Sequence, residues 1–252
     1  MSFNDKVVIV TGASSGIGAA IAIAFSGLGA KVTIVGRNEN KLNEVAKKCK
    51  NPLALVADVT KEDDLKKIVN DTVKHFGKLD ILINNAGMAI RVSIVAENAM
   101  EVYDKVMTTN LRSAVYLTHL AAPHIVKTKG NIINISSICS VCVLAKETFT
   151  YNTSKAAMDH FTRSVAAELA SSGVRVNSVN PGPVKTDFIE NMGTDKNQVD
   201  ATYDHMATLT ALKRVSAPEE IADLVTFLAS DKARGITGSI CVSDNGTLIK
   251  AD

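Results

Sequence analysis

The sequence predicts a parallel α/β fold, an open sheet with helices on both faces, and three observations predict it. Runs of β-branched residues alternate with segments of helical periodicity along nearly the whole chain. The first of these runs passes straight into a glycine-rich turn and then a helix. With 252 residues and 46% apolar side chains, the chain can enclose one large core, so a single domain over 1–252 is expected.

Composition narrows the partners. A formal charge of +2 argues against nucleic acid or an anionic membrane as the main partner. No stretch approaches the roughly 18 uninterrupted apolar residues of a membrane span, and Met1–Asp5 has no basic region leading into an apolar run. Four cysteines in so long a chain do not resemble a disulfide framework, which fits a reduced, cytoplasmic setting.

Lys6–Thr11 is a continuous β-branched run, as expected of a strand buried on both faces. Gly12-Ala13-Ser14-Ser15-Gly16-Ile17-Gly18 follows, then a helix from Ala19. Glycines let backbone approach an anion, and the free N–H groups of a helix start supply partial positive charge, so this turn is a candidate phosphate cradle. Its spacing, Gly-x-x-x-Gly-x-Gly, differs from the commoner Gly-x-Gly-x-x-Gly. Gly29–Val35 completes a βαβ unit and ends in Gly36-Arg37-Asn38. An acidic residue there would bond an adenosine 2′-hydroxyl; Arg37 can instead pair with a 2′-phosphate, which predicts NADP(H) rather than NAD(H).

The alternation continues. Lys41–Lys48 is helical, Leu53–Ala57 is a third strand ending in Asp58-Val59, and Lys61–Phe76 is an amphipathic helix. Leu79–Ile83 is a fourth strand running into Asn84-Asn85-Ala86-Gly87, small and amide residues where such sheets bind ligands. Ala99–Val126 reads as one long helix or two, with Asn110 in the middle, a position where asparagine is usually solvated. Asn131–Ser137 is a fifth strand ending in two hydroxyls, and a loop over 138–150 leads to a further helix. Val174–Val179 is a sixth strand, followed by Asn180-Pro181-Gly182-Pro183-Val184-Lys185-Thr186. Residues 187–213 lack clean periodicity and are expected to form an irregular substrate loop. Pro218–Leu228 is a last helix and Ser239–Val242 a last strand.

The helix after 150 carries the chemistry. Tyr151 and Lys155 stand four apart, one turn above each other on one face. A free phenol has a pKa of about 10 and is a poor proton donor at neutral pH; a nearby ammonium is expected to lower it. Ser137, at a strand end, can meet Tyr151 on one substrate oxygen.

Taken together, Thr11-Gly12-x-x-x-Gly16-x-Gly18, Asp58, Asn84-Asn85-Ala86-Gly87, Asn110, Ser137, Tyr151-x-x-x-Lys155 and Pro181-Gly182-x-Val184-x-Thr186 resemble the short-chain dehydrogenase/reductase family over nearly the whole chain. The resemblance implies a single-domain Rossmann-type, doubly wound sheet of seven mostly parallel strands. It implies catalytic roles for Asn110, Ser137, Tyr151 and Lys155. It places Gly12, Ser14, Ser15, Gly16, Ile17, Gly18, Arg37 and Asn38 on the cofactor, with Asp58 and Val59 bordering the adenine. Asn84, Ala86 and Gly87 would support its centre, Tyr151 and Lys155 its ribose, and Pro181, Gly182, Val184 and Thr186 its nicotinamide. A homo-oligomer, tetramer or dimer, through the 99–126 and 156–171 helices and the last strand is implied as well. Departures are few: thirteen residues over 138–150 separate Ser137 from Tyr151, one more than the commonest spacing, Ser140 stands where Gly is frequent, and Asn245 interrupts Asp-Gly-Gly.

The expected activity is interconversion of a carbonyl and an alcohol on a fairly apolar small molecule (steroid, isoprenoid, quinone or aromatic carbonyl), with Met88, Ile90, Val141, Val143 and Phe149 around the pocket. A 3-oxoacyl-thioester reductase is the alternative, and a silent nucleotide-binding scaffold is disfavoured by the intact Ser137, Tyr151, Lys155 and Asn110. Cys139-x-x-Cys142 lacks a second ligand pair for zinc and the helix-start setting of a redox dithiol. The five histidines show no metal-ligand spacing, so no metal is expected, and His205 reads as a solvated loop residue.

Overall fold

The computed structural model describes residues 1–192 and 195–250. Val7-Val8-Ile9-Val10 stiffen β1 (Val7–Thr11), which leads through the glycine turn into α1 (Gly16–Gly27), then β2 (Lys31–Gly36), α2 (Glu39–Ala46), β3 (Leu53–Val56), α3 (Glu62–Phe76) and β4 (Ile81–Asn84). α4 (Ala99–Met107) and α5 (Ser113–Thr128) precede β5 (Asn131–Ile135), and α6 (Phe149–Leu169) precedes β6 (Arg175–Pro181). α7 (Phe188–Asn191), α8 (Val199–Thr208) and α9 (Pro218–Ala229) lead to β7 (Ile240–Ser243).

The seven strands are ordered β3-β2-β1-β4-β5-β6-β7, and every pairing is parallel. The chain returns from the β3 edge to the middle of the sheet between β3 and β4, so β1 and β4 flank the point where strand order reverses. Connections diverge there and leave a crevice at the carboxyl ends of the strands.

Alternate residues of each strand feed opposite cores. Val8, Val10, Ile34, Ile83 and Ile133 pack on α1 and α9, while Val7, Ile9, Leu82, Ile132 and Val176 pack beneath α3, α5 and α6. Only the edge strand β3 shows alternating exposure, with Val56 50% exposed. The helices start and stop where local chemistry dictates. The Asn38 side chain accepts from the Lys41 N–H at 3.0 Å to cap α2, and α3 opens with Glu62, Asp63 and Asp64 and ends on left-handed Gly77.

Two expectations are corrected. The 99–126 segment is continuous but broken by a π-turn at Thr108–Arg112, and Asn110 within it is fully buried, not solvated. A π-turn fits one extra residue into the helical repeat, which turns a side chain off the solvent face. Residues 187–213 were expected to be irregular; their described residues form α7 and α8 joined by a 3₁₀ turn, and residues 193 and 194 lie outside the described set.

Burial ranks the cost of truncation. Leu82, wholly buried in β4, should lose about 2–5 kcal/mol on Leu82→Ala. Val56→Ala on the exposed edge should stay within about 0.5 kcal/mol. Urea unfolding of both variants checks the ranking.

Candidate active site

The glycine turn is built by close approach. Gly12 has φ +65°, and a Cβ there would sit 2.9 Å from the Ala86 Cα. A Cβ on Gly18 would collide with the Gly12 carbonyl and the Asn85 amide. Glycine is needed at both positions, for conformation at the first and for space at the second. Thr11 locks this turn to the end of β4: its hydroxyl accepts from the Asn85 and Ala86 N–H groups at 3.0 and 3.1 Å, and the Asn85 side chain donates to the Thr11 carbonyl at 2.8 Å.

A cleft of about 320 Å³ opens beside the turn, lined by Gly12, Ser15, Gly16, Ile17, Gly18, Ala86 and Gly87. Ser137, Tyr151 and Lys155 line it too, as do Pro181, Gly182, Val184 and Thr186. Thus the turn, Ser137, Tyr151, Lys155 and the 181–186 strap meet at one place. Ser14, Arg37, Asn38, Asp58 and Val59 do not line it. Ser14 packs against Gly36, and Arg37 and Asn38 are exposed beyond the end of β2. Asp58 is raised by burial, but hydrogen bonds from Thr60 and the charges of Arg37 and Lys61 outweigh this and leave its pKa lowered. Arg37 and Asp58 therefore belong to one electrostatic neighbourhood. Asn84 turns inward, donating to Thr118 Oγ1 at 3.1 Å and Asn134 Oδ1 at 2.9 Å, so it braces the sheet and not the cleft surface.

α6 sets the reactive pair. Lys155 is 4% exposed, and its Nζ donates to the Ile135 carbonyl at 2.8 Å. The ammonium lies 5.6 Å from the centre of the Tyr151 ring, and Phe188 of α7 packs on the same ring with centroids 5.6 Å apart. Asn110 reaches this helix from the π-turn: its Oδ1 accepts from the Met88 N–H at 2.8 Å, and its Nδ2 donates to the Met88 carbonyl at 2.8 Å and to Ser154 Oγ at 3.0 Å. Ser137 Oγ accepts from the Cys139 N–H at 3.1 Å, which starts a short 3₁₀ turn and fixes the hydroxyl at the end of β5.

The electrostatics differ from expectation. Burial lowers the Lys155 pKa to about 8, opposed by the charges of Asp159 and Cys139. Burial raises the Tyr151 phenol well above its ordinary value, with Cys139 adding to the rise and hydrogen bonding to Ser137 opposing it. The expected lowering of the phenol by Lys155 is therefore overturned. Desolvation of the phenolate exceeds what the Ser137 hydrogen bond returns.

Other expectations also change. Met88, Ile90 and Phe149 pack into a satellite core with Val92, Val102 and Val106, and Val141 and Val143 are 70% and 75% exposed, so none of the five lines the cleft. Ile138, Leu144, Phe188, Met192 and Met206 do so instead. His205 is exposed and outside the lining.

Several residues escaped sequence reasoning. Asp159 and Asn180 are buried: Asn180 Nδ2 donates to Asp159 Oδ2 at 2.8 Å and to the Ser137 carbonyl at 3.1 Å, tying α6, β6 and the Ser137 turn together. The spacing of Asp159 four after Lys155 was the available signal. Tyr203 of α8 clamps the strap, its hydroxyl accepting from the Thr186 N–H at 2.9 Å and donating to the Thr186 carbonyl at 2.6 Å. Asp187 pairs with Lys41 of α2 at 2.6 Å.

The low pKa of Lys155 carries a stability signature. The unfolded chain holds that proton up to about 10.5 and the folded chain releases it near 8, so stability rises with pH across this window. Wild type should therefore gain stability relative to Lys155→Met between these limits, as read by thermal unfolding at several pH values.

Comparisons place this geometry in a known group. A family model described as enoyl-(acyl carrier protein) reductase matches residues 12–247. L-fucose dehydrogenase from Bos taurus is 34% identical over 91% of this chain and 84% of its own. The 3-oxoacyl-[acyl-carrier-protein] reductase from Thermotoga maritima is 33% identical over 99% of this chain and all of its own. A short-chain dehydrogenase/reductase of unknown function from Caenorhabditis elegans, solved with cofactor, superposes with a TM-score of 0.94 at 38% identity, covering 99% of this chain and 97% of that one. With the glycine turn, the Tyr151–Lys155 pair and the seven-stranded sheet in place, the chain belongs to the short-chain dehydrogenase/reductase family, and it is an oxidoreductase of that family.

Proposed function

We propose that this protein interconverts a ketone or aldehyde and the corresponding alcohol on a fairly apolar small molecule, using NADP(H). The observation that carries the reading is the convergence of Ser137, Tyr151 and Lys155 on one cleft wall beside the Gly12–Gly18 turn. The glycines, whose Cβ positions are occupied by Ala86, Asn85, Thr186 and the Gly12 carbonyl, keep the turn tight at the start of α1, where free N–H groups suit a pyrophosphate. The nicotinamide, when bound, supplies or accepts the hydride.

The chain's own groups do the rest. Tyr151 would give its proton to the carbonyl oxygen as hydride arrives at the carbonyl carbon; burial holds that proton on the phenol beforehand, and the positive charge that develops on the nicotinamide as it gives up hydride would favour its release. Ser137 Oγ hydrogen-bonds the same oxygen as its negative charge grows. Lys155, held by Ile135, presents its remaining donors to the cofactor ribose and stabilises the phenolate left behind. Asn110, which grips Met88 and Ser154, would fix a water that passes protons from solvent toward Lys155. Phe188, Met192 and Met206 furnish apolar lining suited to a hydrophobic substrate.

Arg37 supports the phosphorylated cofactor, because an exposed guanidinium past β2 can pair with a 2′-phosphate. Reduction of a 3-oxoacyl thioester is a second reading, favoured by the full-length likeness to the Thermotoga maritima reductase.

Tyr151→Phe should keep NADPH affinity and lose nearly all turnover across a panel of ketones, quinones, steroids and 3-oxoacyl thioesters; substantial residual activity contradicts the assigned role. NADPH should exceed NADH in kcat/KM by about tenfold or more, with Arg37→Met eroding the difference. A tenfold preference for NADH contradicts the cofactor assignment.

A further inference from the structure

Three charged side chains line the cleft: Lys155, Asp187 and Arg91. Two are accounted for. Lys155 is bound to the Ile135 carbonyl, and Asp187 is paired with Lys41. Arg91 forms no hydrogen bond and no ion pair with any of the described residues.

The backbone beside it is held. The next residue, Val92, donates its N–H to the Glu147 carbonyl at 2.8 Å, which pins the Arg91 segment against the entrance to α6. The Glu147 carboxylate is exposed and makes no ion pair with Arg91. Thr148 and Asn152, from the same entrance, also line the cleft. Asn152 Nδ2 donates to Thr148 Oγ1 at 3.3 Å, but Asn152 Oδ1 is buried without a partner. The cleft lining thus includes an exposed guanidinium with no protein partner and a buried amide oxygen with none. The apolar lining residues Ile138, Leu144, Phe188, Met192 and Met206 carry no side-chain group that could pair with either.

A buried acceptor left unpaired is costly, and a planar guanidinium matches the two oxygens of a carboxylate or phosphate. We propose that Arg91 is a substrate-recognition residue, and that the carbonyl substrate carries a carboxylate or phosphate on Arg91 and an O–H or N–H donor on Asn152 Oδ1. This rests on the carbonyl–alcohol reading above and narrows it to anionic, amphipathic oxo compounds. It also separates binding from chemistry: the anion sets KM, while Ser137, Tyr151 and Lys155 set turnover.

The test uses matched pairs of medium-chain oxo acids and their methyl esters, plus 3-oxoacyl-coenzyme A as the phosphate-bearing arm, followed by NADPH oxidation. Wild type should prefer the acid or the coenzyme A thioester over the ester by about ten- to hundredfold in kcat/KM, chiefly through KM. Arg91→Met should erase the preference and Arg91→Lys should retain part of it, both with cooperative thermal unfolding as a check of the fold. Which arm shows the preference identifies carboxylate or phosphate. A readout without turnover is the thermal shift that decanoate gives to the NADPH-saturated protein, expected in wild type and lost in Arg91→Met. Equal use of acid, thioester and ester, or a preference that survives Arg91→Met, overturns the proposal while leaving carbonyl reduction intact. If every carbonyl is inert yet decanoate binds through Arg91, the anion site stands and the carbonyl reading falls.

Discussion

The arrangement depends on one hydrogen bond, from the Lys155 ammonium to the Ile135 carbonyl at 2.8 Å. It anchors a nearly buried cation at the carboxyl end of a central strand. Burying that cation costs enough to pull its pKa to about 8, so it needs a fixed acceptor to stay in place. Because α6 is continuous, the same anchor fixes everything at helical spacing from Lys155. Tyr151 stands one turn before it and Asp159 one turn after it. Ser136 returns the bond from the other side, its hydroxyl donating to the Lys155 carbonyl at 3.1 Å.

Around this anchor runs a polar seam inside an otherwise apolar sheet. Asn84, Asn134, Thr118 and Thr162 link β4, β5, α5 and α6 by bonds of 2.8–3.1 Å. Asp159, Asn180 and Ser178 do the same between α6 and β6, and through Asn180 they hold the Ser137 carbonyl. Such groups give less stability than packed aliphatics would, but their directionality fixes register. The reactive hydroxyls therefore stand on a frame in which neighbouring strand ends cannot slide independently.

Much of the fold was legible because β-branched runs and amphipathic helices have different periods, and a parallel sheet buried on both faces writes its strands as continuous apolar runs. Residues 6–11 and 79–83 showed this plainly. The glycine turn and the Tyr151–Lys155 spacing were legible for the same local reason, since their geometry is set within a few residues. What stayed hidden was set by long-range packing. The burial of Asn110 depends on a π-turn that no propensity marks, and α7 and α8 are short helices whose order comes from the Tyr203 clamp and the Lys41–Asp187 pair. The pocket wall was misassigned because loop 138–150 turns Val141 and Val143 outward, while Leu144 and the α7–α8 methionines fill the space. The phenol's pKa was misjudged because spacing reveals which charge is near but not how much water is excluded.

The central claim is that burial holds the proton on Tyr151 and that positive charge beside the ring, from Lys155 together with an oxidised nicotinamide, favours its release. Ultraviolet difference titration of the phenolate, wild type minus Tyr151→Phe, measures this directly, with and without NADP⁺. The expected result is no Tyr151 phenolate below pH 10 in the free protein, and its appearance several pH units lower with NADP⁺ bound, a shift absent from Lys155→Met. The same high titration point with and without NADP⁺ would contradict it.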